Sequence, residues 1–175
     1  MKNFIETKRL ILCEATLEDS EFFYTLLNSP NWIEFIGDKG VRTQEDAKQY
    51  IQSNLIDSYQ KNGYGLLTMS LKESKKPIGI CGFVRRDYLN SPDIGFAILP
   101  EHEGKGYTTE ACEAIINYGK TELKLQTILG ITTLENTKSR NLLTKIGLFE
   151  IGNLQPEKNK REFLLFSTKK ATQTE

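Results

Sequence analysis

Short runs of Leu, Ile, Val and Phe alternate along the chain with segments whose apolar residues recur every three or four positions. The first pattern predicts strands and the second helices, because side chains alternate across a strand but return to one face of a helix about every 3.6 residues. Strands are expected at residues 7–14, 64–72, 77–87, 92–99, 126–133, 147–153 and 162–169. Helices are expected at 17–28, 43–61, 106–122 and 137–146. Thr16 and Thr43, each followed by acidic residues and helical spacing, are the expected starts of the first two helices. The order of elements is that of an α/β chain.

The junction from Asp93 to Ala111, DIGFAILPEHEGKGYTTEA, carries the most chemistry. Ile94 to Leu99 read as a strand that Pro100 ends, and Ala111, Ala114, Ile115 and Tyr118 give the following helix one buried face. Gly104 and Gly106 lie between. Without a β-carbon they let backbone N–H groups approach an anion at the positive end of the new helix, although two glycines can also make an ordinary tight turn. The spacing matches neither G-x-x-x-x-G-K-[ST] nor a G-x-G-x-x-G run after a strand.

A second segment, ENTKSRNLLTKIGLFEIG, runs from Glu135 to Gly152. Asn136 reads as a helix N-cap, Leu142, Leu143 and Ile146 as a buried face, and Gly147 as the stop. Asn136 and Ser139, three apart, share a face of that helix.

Together the two segments resemble the GNAT superfamily of N-acetyltransferases. Glu103, Gly104, Lys105, Gly106, Tyr107 and Thr108 fall on its acetyl-CoA motif, Gln/Arg-x-x-Gly-x-Gly/Ala, with Glu103 and Thr108 as departures. GKGYTTEA is similar to the GKGYATEA form of the branch that includes ribosomal-protein N-terminal acetyltransferases. Asn136, Ser139, Leu142, Lys145 and Gly147 match the late signature N-x-x-S/A-x-x-L-x-x-K-x-G-F, with Leu148 for Phe. The resemblance covers nearly the whole chain. It implies a central, mixed but mostly antiparallel sheet of about seven strands, flanked by about four helices.

The resemblance also implies site residues. Gly104, Lys105, Gly106, Tyr107, Thr108 and Thr109 would hold the pyrophosphate of acetyl-CoA, and Asn136 and Ser139 would face its thioester end. Backbone groups at Ile98 and Leu99 would pair with the pantetheine amides as if these were an extra strand. A carboxylate at Glu103 would repel the pyrophosphate unless it points to solvent. Leu143 stands where many members carry a tyrosine that protonates the leaving thiolate, and Ser139 would assist instead. Asp93 stands where the family often has a basic Glu; with its shorter side chain it would act through a water, or it is an ordinary Asp at a strand start after Pro92. Residues 31–42 would wall the acceptor pocket, with Trp32, Glu34 and Phe35 lining it, although Trp32 and Phe35 could equally be core.

The implied activity is transfer of an acetyl group from acetyl-CoA to a primary amine. An α-amine is favoured as acceptor, because neutralising it at pH 7 costs about 1.4 kcal/mol, against about 4.6 kcal/mol for a lysine-like amine. A protein N-terminus therefore fits, and relatives also acetylate polyamines, aminoglycosides and amino acids. The alternatives are a CoA-binding module that has lost catalysis and a protein-interaction domain on the same scaffold.

Composition narrows this reading further. The 175 residues suit one domain over 1–170 with a frayed tail at 171–175. Twenty-three Lys and Arg balance 23 Asp and Glu, so nothing favours a nucleic-acid or membrane surface. Lys158, Lys160 and Arg161 read as a solvated turn, and the polar N-terminus lacks a signal peptide's apolar core. Cys13, Cys81 and Cys112 read as buried free thiols in a cytoplasmic protein. His102 reads as a solvated turn residue, and no metal site is expected. The expected partners are acetyl-CoA and an amine acceptor, for a monomer or homodimer.

Overall fold

The computed structural model describes residues 4–156 and 161–170, so Lys158, Lys160 and the tail at 171–175 lie outside the described residues. Among the described residues eight strands form one sheet in the order β1-β2-β3-β4-β5-β6-β8-β7. They are β1 (Phe4–Glu6), β2 (Leu10–Glu14), β3 (Leu66–Leu71), β4 (Pro77–Val84), β5 (Asp93–Ile98), β6 (Leu129–Thr132), β7 (Phe149–Leu154) and β8 (Phe163–Ser167). Every neighbouring pair is antiparallel except β5 and β6, which run parallel.

The expected strand at 7–14 narrows to β2, and β1 precedes it as a strand that was not expected. β1 pairs with β2 from Phe4↔Cys13 to Glu6↔Ile11, and a turn closed by the Thr7 N–H bond to Leu10 O (3.0 Å) separates them. This raises the strand count from seven to eight. β4 sits mid-sheet, and its inner residues Ile78 to Phe83 are all buried, as expected of a strand covered on both faces.

The helices are α1 (Ser20–Leu27), α2 (Pro30–Phe35), α3 (Gln44–Tyr50), α4 (Asp57–Asn62), α5 (Tyr107–Thr121) and α6 (Thr137–Lys145). A π-helical stretch at Ile51–Ile56 joins α3 to α4, so 44–62 is one helical stretch, close to the expected 43–61. Thr43 starts it with a capping box, its hydroxyl accepting the Asp46 N–H at 3.1 Å. α2 falls where a loop was expected, with Pro30 in its first turn, a position where the missing donor costs nothing.

The sheet separates two cores. On one face α5 and α6 cover Leu10, Leu12, Met69, Phe83 and Ile94 through Ala111, Cys112, Ile115, Ile116 and Leu143. On the other, α1, α2 and the long 44–62 helix gather Phe22, Phe23, Leu26, Trp32, Ala47, Ile51 and Leu55 with Ile80 and Leu99. Each Leu, Ile or Phe buried this way contributes about 1.5–3 kcal/mol, which fixes the positions of α5 and α6 on the sheet. Cys81 and Cys112 are buried with Sγ atoms 3.5 Å apart, whereas Cys13, expected buried, is only half-buried.

Candidate active site

The site begins where the parallel pair fails. β5 and β6 share one register pair, Asp93↔Leu129, fixed by the Leu129 N–H bond to Pro92 O at 2.9 Å. Beyond it β6 pairs with β8 and β5 stays with β4, leaving a cleft between them. The Leu99 N–H is taken by Ile78 O at 2.8 Å on the β4 side. Since backbone groups of successive strand residues point to opposite edges, those of Phe96 and Ile98 face the cleft while those of Leu99 face away. The cleft-facing pair is therefore Phe96 and Ile98, and Phe96 was not singled out from the sequence. From Asp93 to Ile98 the open edge is about 17 Å long.

At the wide end of the cleft, Gly104 (φ +72°) and Gly106 (φ +78°) hold left-handed conformations, and Gly106 is the N-cap of α5. A Cβ at Gly104 would meet nothing within 4 Å, so the loop is open on that side. The first turn of α5, Tyr107, Thr108 and Thr109, has no preceding turn to take its N–H groups, and Glu110 is the first to bond back, to Gly106 O at 3.1 Å.

Arg9, in the turn between β1 and β2, braces this loop. Its Nη1 donates to Lys105 O at 2.9 Å, its Nε to Glu110 Oε2 at 2.6 Å, and its guanidinium lies 4.5 Å from the centre of the Tyr107 ring. The Thr7 hydroxyl donates to Glu110 Oε1 at 2.6 Å and the Arg9 N–H to the same atom at 2.8 Å. Partial burial works against the Glu110 charge, but the Thr7 hydroxyl, the Arg9 N–H and the guanidinium outweigh it and hold the carboxyl below its ordinary value. Lys105 points its Nζ back to Glu101 O at 3.0 Å.

Glu103 does not simply face water. Its Oε1 accepts from Asn31 Nδ2 of α2, and its Oε2 pairs with Lys138 Nζ of α6 at 2.7 Å. The carboxylate is thus neutralised by Lys138, and it ties the glycine loop to helices on both sides. His102, expected to be solvated, is half-buried with Nε2 shielded and unpartnered. Across the cleft, Asn136 caps α6, its Oδ1 accepting the Ser139 N–H at 3.1 Å, so Nδ2 is the donor left for a ligand. Ser139 is 9% exposed, and Leu143 is buried in the core behind β6.

Residues 31–42 lie on the α1 face, where Asn31 holds Glu103 beside the glycine loop and the Glu34 carbonyl accepts from Arg161 Nη1 (3.3 Å) beside the start of β8. Of the alternatives for Trp32, the structure shows core: it is 4% exposed among Phe22, Val41 and Leu99. Phe35 is half-buried and Glu34 exposed. At the apex, Asp93 is 1% exposed and pairs with Arg86 Nε at 2.9 Å. Burial raises the Asp93 carboxyl above its usual value against the pull of Arg86, and Asp93 in turn keeps Arg86 charged despite its own burial.

The profile of the acetyltransferase (GNAT) domain matches residues 9–148. The chain belongs to this acetyltransferase family. It is 31% identical over 144 residues to the uncharacterized N-acetyltransferase YnaD of Bacillus subtilis (strain 168), covering 82% of this chain and 81% of that protein. It is 27% identical over 131 residues to the ribosomal-protein-serine acetyltransferase of Escherichia coli (strain K12), covering 74% and 69%. Among solved structures it superposes on RimL, a ribosomal L7/L12 alpha-N-protein acetyltransferase in complex with coenzyme A, with TM-score 0.80 at 15% identity over 94% of this chain and 97% of that one.

The residues of this acetyltransferase suit an extended ligand carrying phosphates at one end and amides along its length. Trp32 Nε1 and Thr133 Oγ1, one in the cluster that includes Leu99 and the other just past β6, are shielded from water without a hydrogen-bond partner. Buried polar atoms are rarely left so, and these two flank the elements that bound the cleft. Among the described residues no group of three or more His, Cys, Asp or Glu could hold a metal, and no helix is long and apolar enough to cross a membrane.

Proposed function

We propose that this protein transfers the acetyl group of acetyl-CoA directly to a primary amine, with a protein N-terminal α-amine as the acceptor. The observation that carries the reading is the cleft between β5 and β6, open from Asp93 outward and ending at the glycine loop. Its open edge of about 17 Å gives an extended arm room to lie beside β5, so a cofactor held at Gly104 to Thr109 reaches its thioester toward the apex. The likeness to the ribosomal-protein-serine acetyltransferase supports a protein N-terminus as acceptor.

In this reading, Tyr107, Thr108 and Thr109 present N–H groups, and Gly104 an open approach, to the pyrophosphate. The backbone of Ile98 and Phe96 pairs with the pantetheine amides, while Asn136 Nδ2 donates from the opposite wall. A backbone N–H on the open edge of β5 polarises the thioester carbonyl, a contribution of about 3–4 kcal/mol for comparable donors. Asp93, too buried to touch the acceptor, takes its proton through a water, and burial favours this by making the carboxyl more basic. Ser139 assists the leaving thiolate in this reading, and the buried position of Leu143 supports that assignment. The protein acts as a single domain in the cytoplasm.

A panel of peptide N-termini, polyamines and aminoglycosides, each mixed with acetyl-CoA and followed by free thiol, tests this. Thiol release fastest with peptide α-amines is expected. CoA binding with no release across the panel would leave only a binding module.

A further inference from the structure

We infer that α2 is a strap across the acceptor's path into the cleft, and that Asn31, acting through Glu103, is the positioning residue that sets how tightly the acceptor is held. The inference rests on the reading that the acceptor amine meets the thioester inside this cleft. One face of the opening is already closed. α6 packs there so tightly that a Cβ on Gly130 of β6 would lie 2.7 Å from Leu143 Cδ2, and α5 covers the strands beside it. An acceptor therefore arrives over the other face, where α2 stands.

The two ends of α2 are held from opposite sides of the opening. Near its start, Asn31 Nδ2 donates to Glu103 Oε1 in the loop that follows β5; near its end, the Glu34 carbonyl accepts from Arg161 Nη1 (3.3 Å) just before β8. In the sheet β6 lies between β5 and β8. It is parallel to β5 and antiparallel to β8, with Thr132 opposite Leu164, so the end of β5 and the start of β8 both lie at the wide end of the cleft. A helix that touches both crosses over that end. Beside its far end a hollow of about 210 Å³, lined by Leu134, Glu135, Asn153, Arg161 and Phe163, leaves room for the chain that carries the amine. With only six residues, α2 has too few bonds of its own to fix its place, which is set by what it touches. Trp32 seats its inner side in the core, and Asn31 ties its first turn to the loop. The tie depends on the carboxylate at position 103, where the acetyl-CoA motif carries Gln or Arg. Lys138 fixes that carboxylate through Oε2 at 2.7 Å, and an amide donating to it makes a charge-assisted bond, stronger than a neutral one.

The test uses an amidated Ser-Gly-Gly peptide as acceptor. Its kcat and KM are measured by thiol release at saturating acetyl-CoA, so that changes in cofactor affinity drop out, and its Kd for the CoA-loaded protein by calorimetry. Asn31→Leu removes the donor without adding charge and should raise KM and Kd about five- to tenfold, with kcat within about twofold of wild type. Asn31→Asp sets two carboxylates face to face and should do at least as much. Combining Asn31→Asp with Glu103→Gln reverses donor and acceptor across the same gap and should bring both constants back to within about twofold. A variant that merely unfolds loses active enzyme, and with it kcat, while KM stays in place. An unchanged KM in Asn31→Leu, or a rise that the paired exchange fails to reverse, overturns the inference and leaves acetyl transfer standing. A Kd that shifts with Asn31 although no thiol is released sustains it and defeats the acetyl-transfer reading instead. Wild type that neither binds nor acetylates the peptide overturns both.

Discussion

Replacing Arg9 with alanine should loosen the glycine loop and weaken CoA binding while the fold persists. Three contacts are lost: the bond to Lys105 O (2.9 Å), the pair with Glu110 (2.6 Å) and the stacking on Tyr107 (4.5 Å). A hydrogen bond from a charged donor contributes about 1.5 kcal/mol, an exposed ion pair about 0.2–1 and a cation–π contact about 0.5–1. The Arg9 side chain is 42% exposed and one guanidinium serves all three, so screening and sharing reduce the total to about 1–1.5 kcal/mol. That energy keeps the loop ordered in the free protein. Without it the ordering must come from the ligand, which raises the Kd for CoA about 5- to 12-fold. Calorimetric titration of CoA into wild type, Arg9→Ala and Arg9→Lys reads this directly. The lysine variant keeps the charge without the fork and should fall between the other two. A Kd for Arg9→Ala within twofold of wild type would refute the argument that this residue organises the loop.

Other perturbations have equally definite outcomes. Glu103→Gln frees the Lys138 ammonium at the mouth of the cleft, so CoA should bind more tightly, most visibly at low salt; no change at any ionic strength would show that Lys138 is out of reach of the phosphates. Gly106→Val puts a branched residue at φ +78°, which costs about 1–2 kcal/mol; both the melting temperature and the CoA-induced rise in it should fall, and an undiminished rise would remove the loop from the site. Asp93→Asn leaves Arg86 without its counter-charge, costing about 2 kcal/mol given the partial exposure of Arg86, so Tm should drop by about 4–8 °C and turnover by about 10²- to 10⁴-fold; full activity at pH 7 would take Asp93 out of the mechanism. The Glu110 carboxyl is lowered in the folded protein, so its stabilisation is complete above the ordinary value of 4.5 and lost as pH falls through the lowered one. CoA affinity should therefore hold from about pH 8 to about pH 5 as far as Glu110 is concerned, and a loss of loop order already at pH 6 would contradict that assignment.

What could be read in advance was whatever a contiguous segment encodes. The β5–loop–α5 junction and the Asn136-capped α6 are local patterns, and both lie where the sequence put them because their glycines, caps and apolar periodicity all sit within a few residues of one another. The β1–β2 turn escaped notice since Thr7, Lys8 and Arg9 break the strand by a hydrogen bond rather than by a Gly or Pro. α2 escaped because six residues hold too little periodicity to distinguish a helix from a loop. The supporting charges were out of sight for a different reason: Arg9 meets Glu110 across 101 positions and Lys138 meets Glu103 across 35. Glu103 illustrates the cost. In the sequence it is an unwelcome carboxylate in a phosphate loop; in the fold it is the tie between α2, the loop and α6.

Hydrogen exchange with and without CoA tests the central claim, that the opening between β5 and β6 holds the cofactor along its length. The account predicts new protection at the N–H groups of Phe96 and Ile98 and at Tyr107, Thr108 and Thr109, with Leu99 unchanged because Ile78 already holds its N–H. Protection confined to the loop, or found instead on the β7–β8 pair, would contradict it.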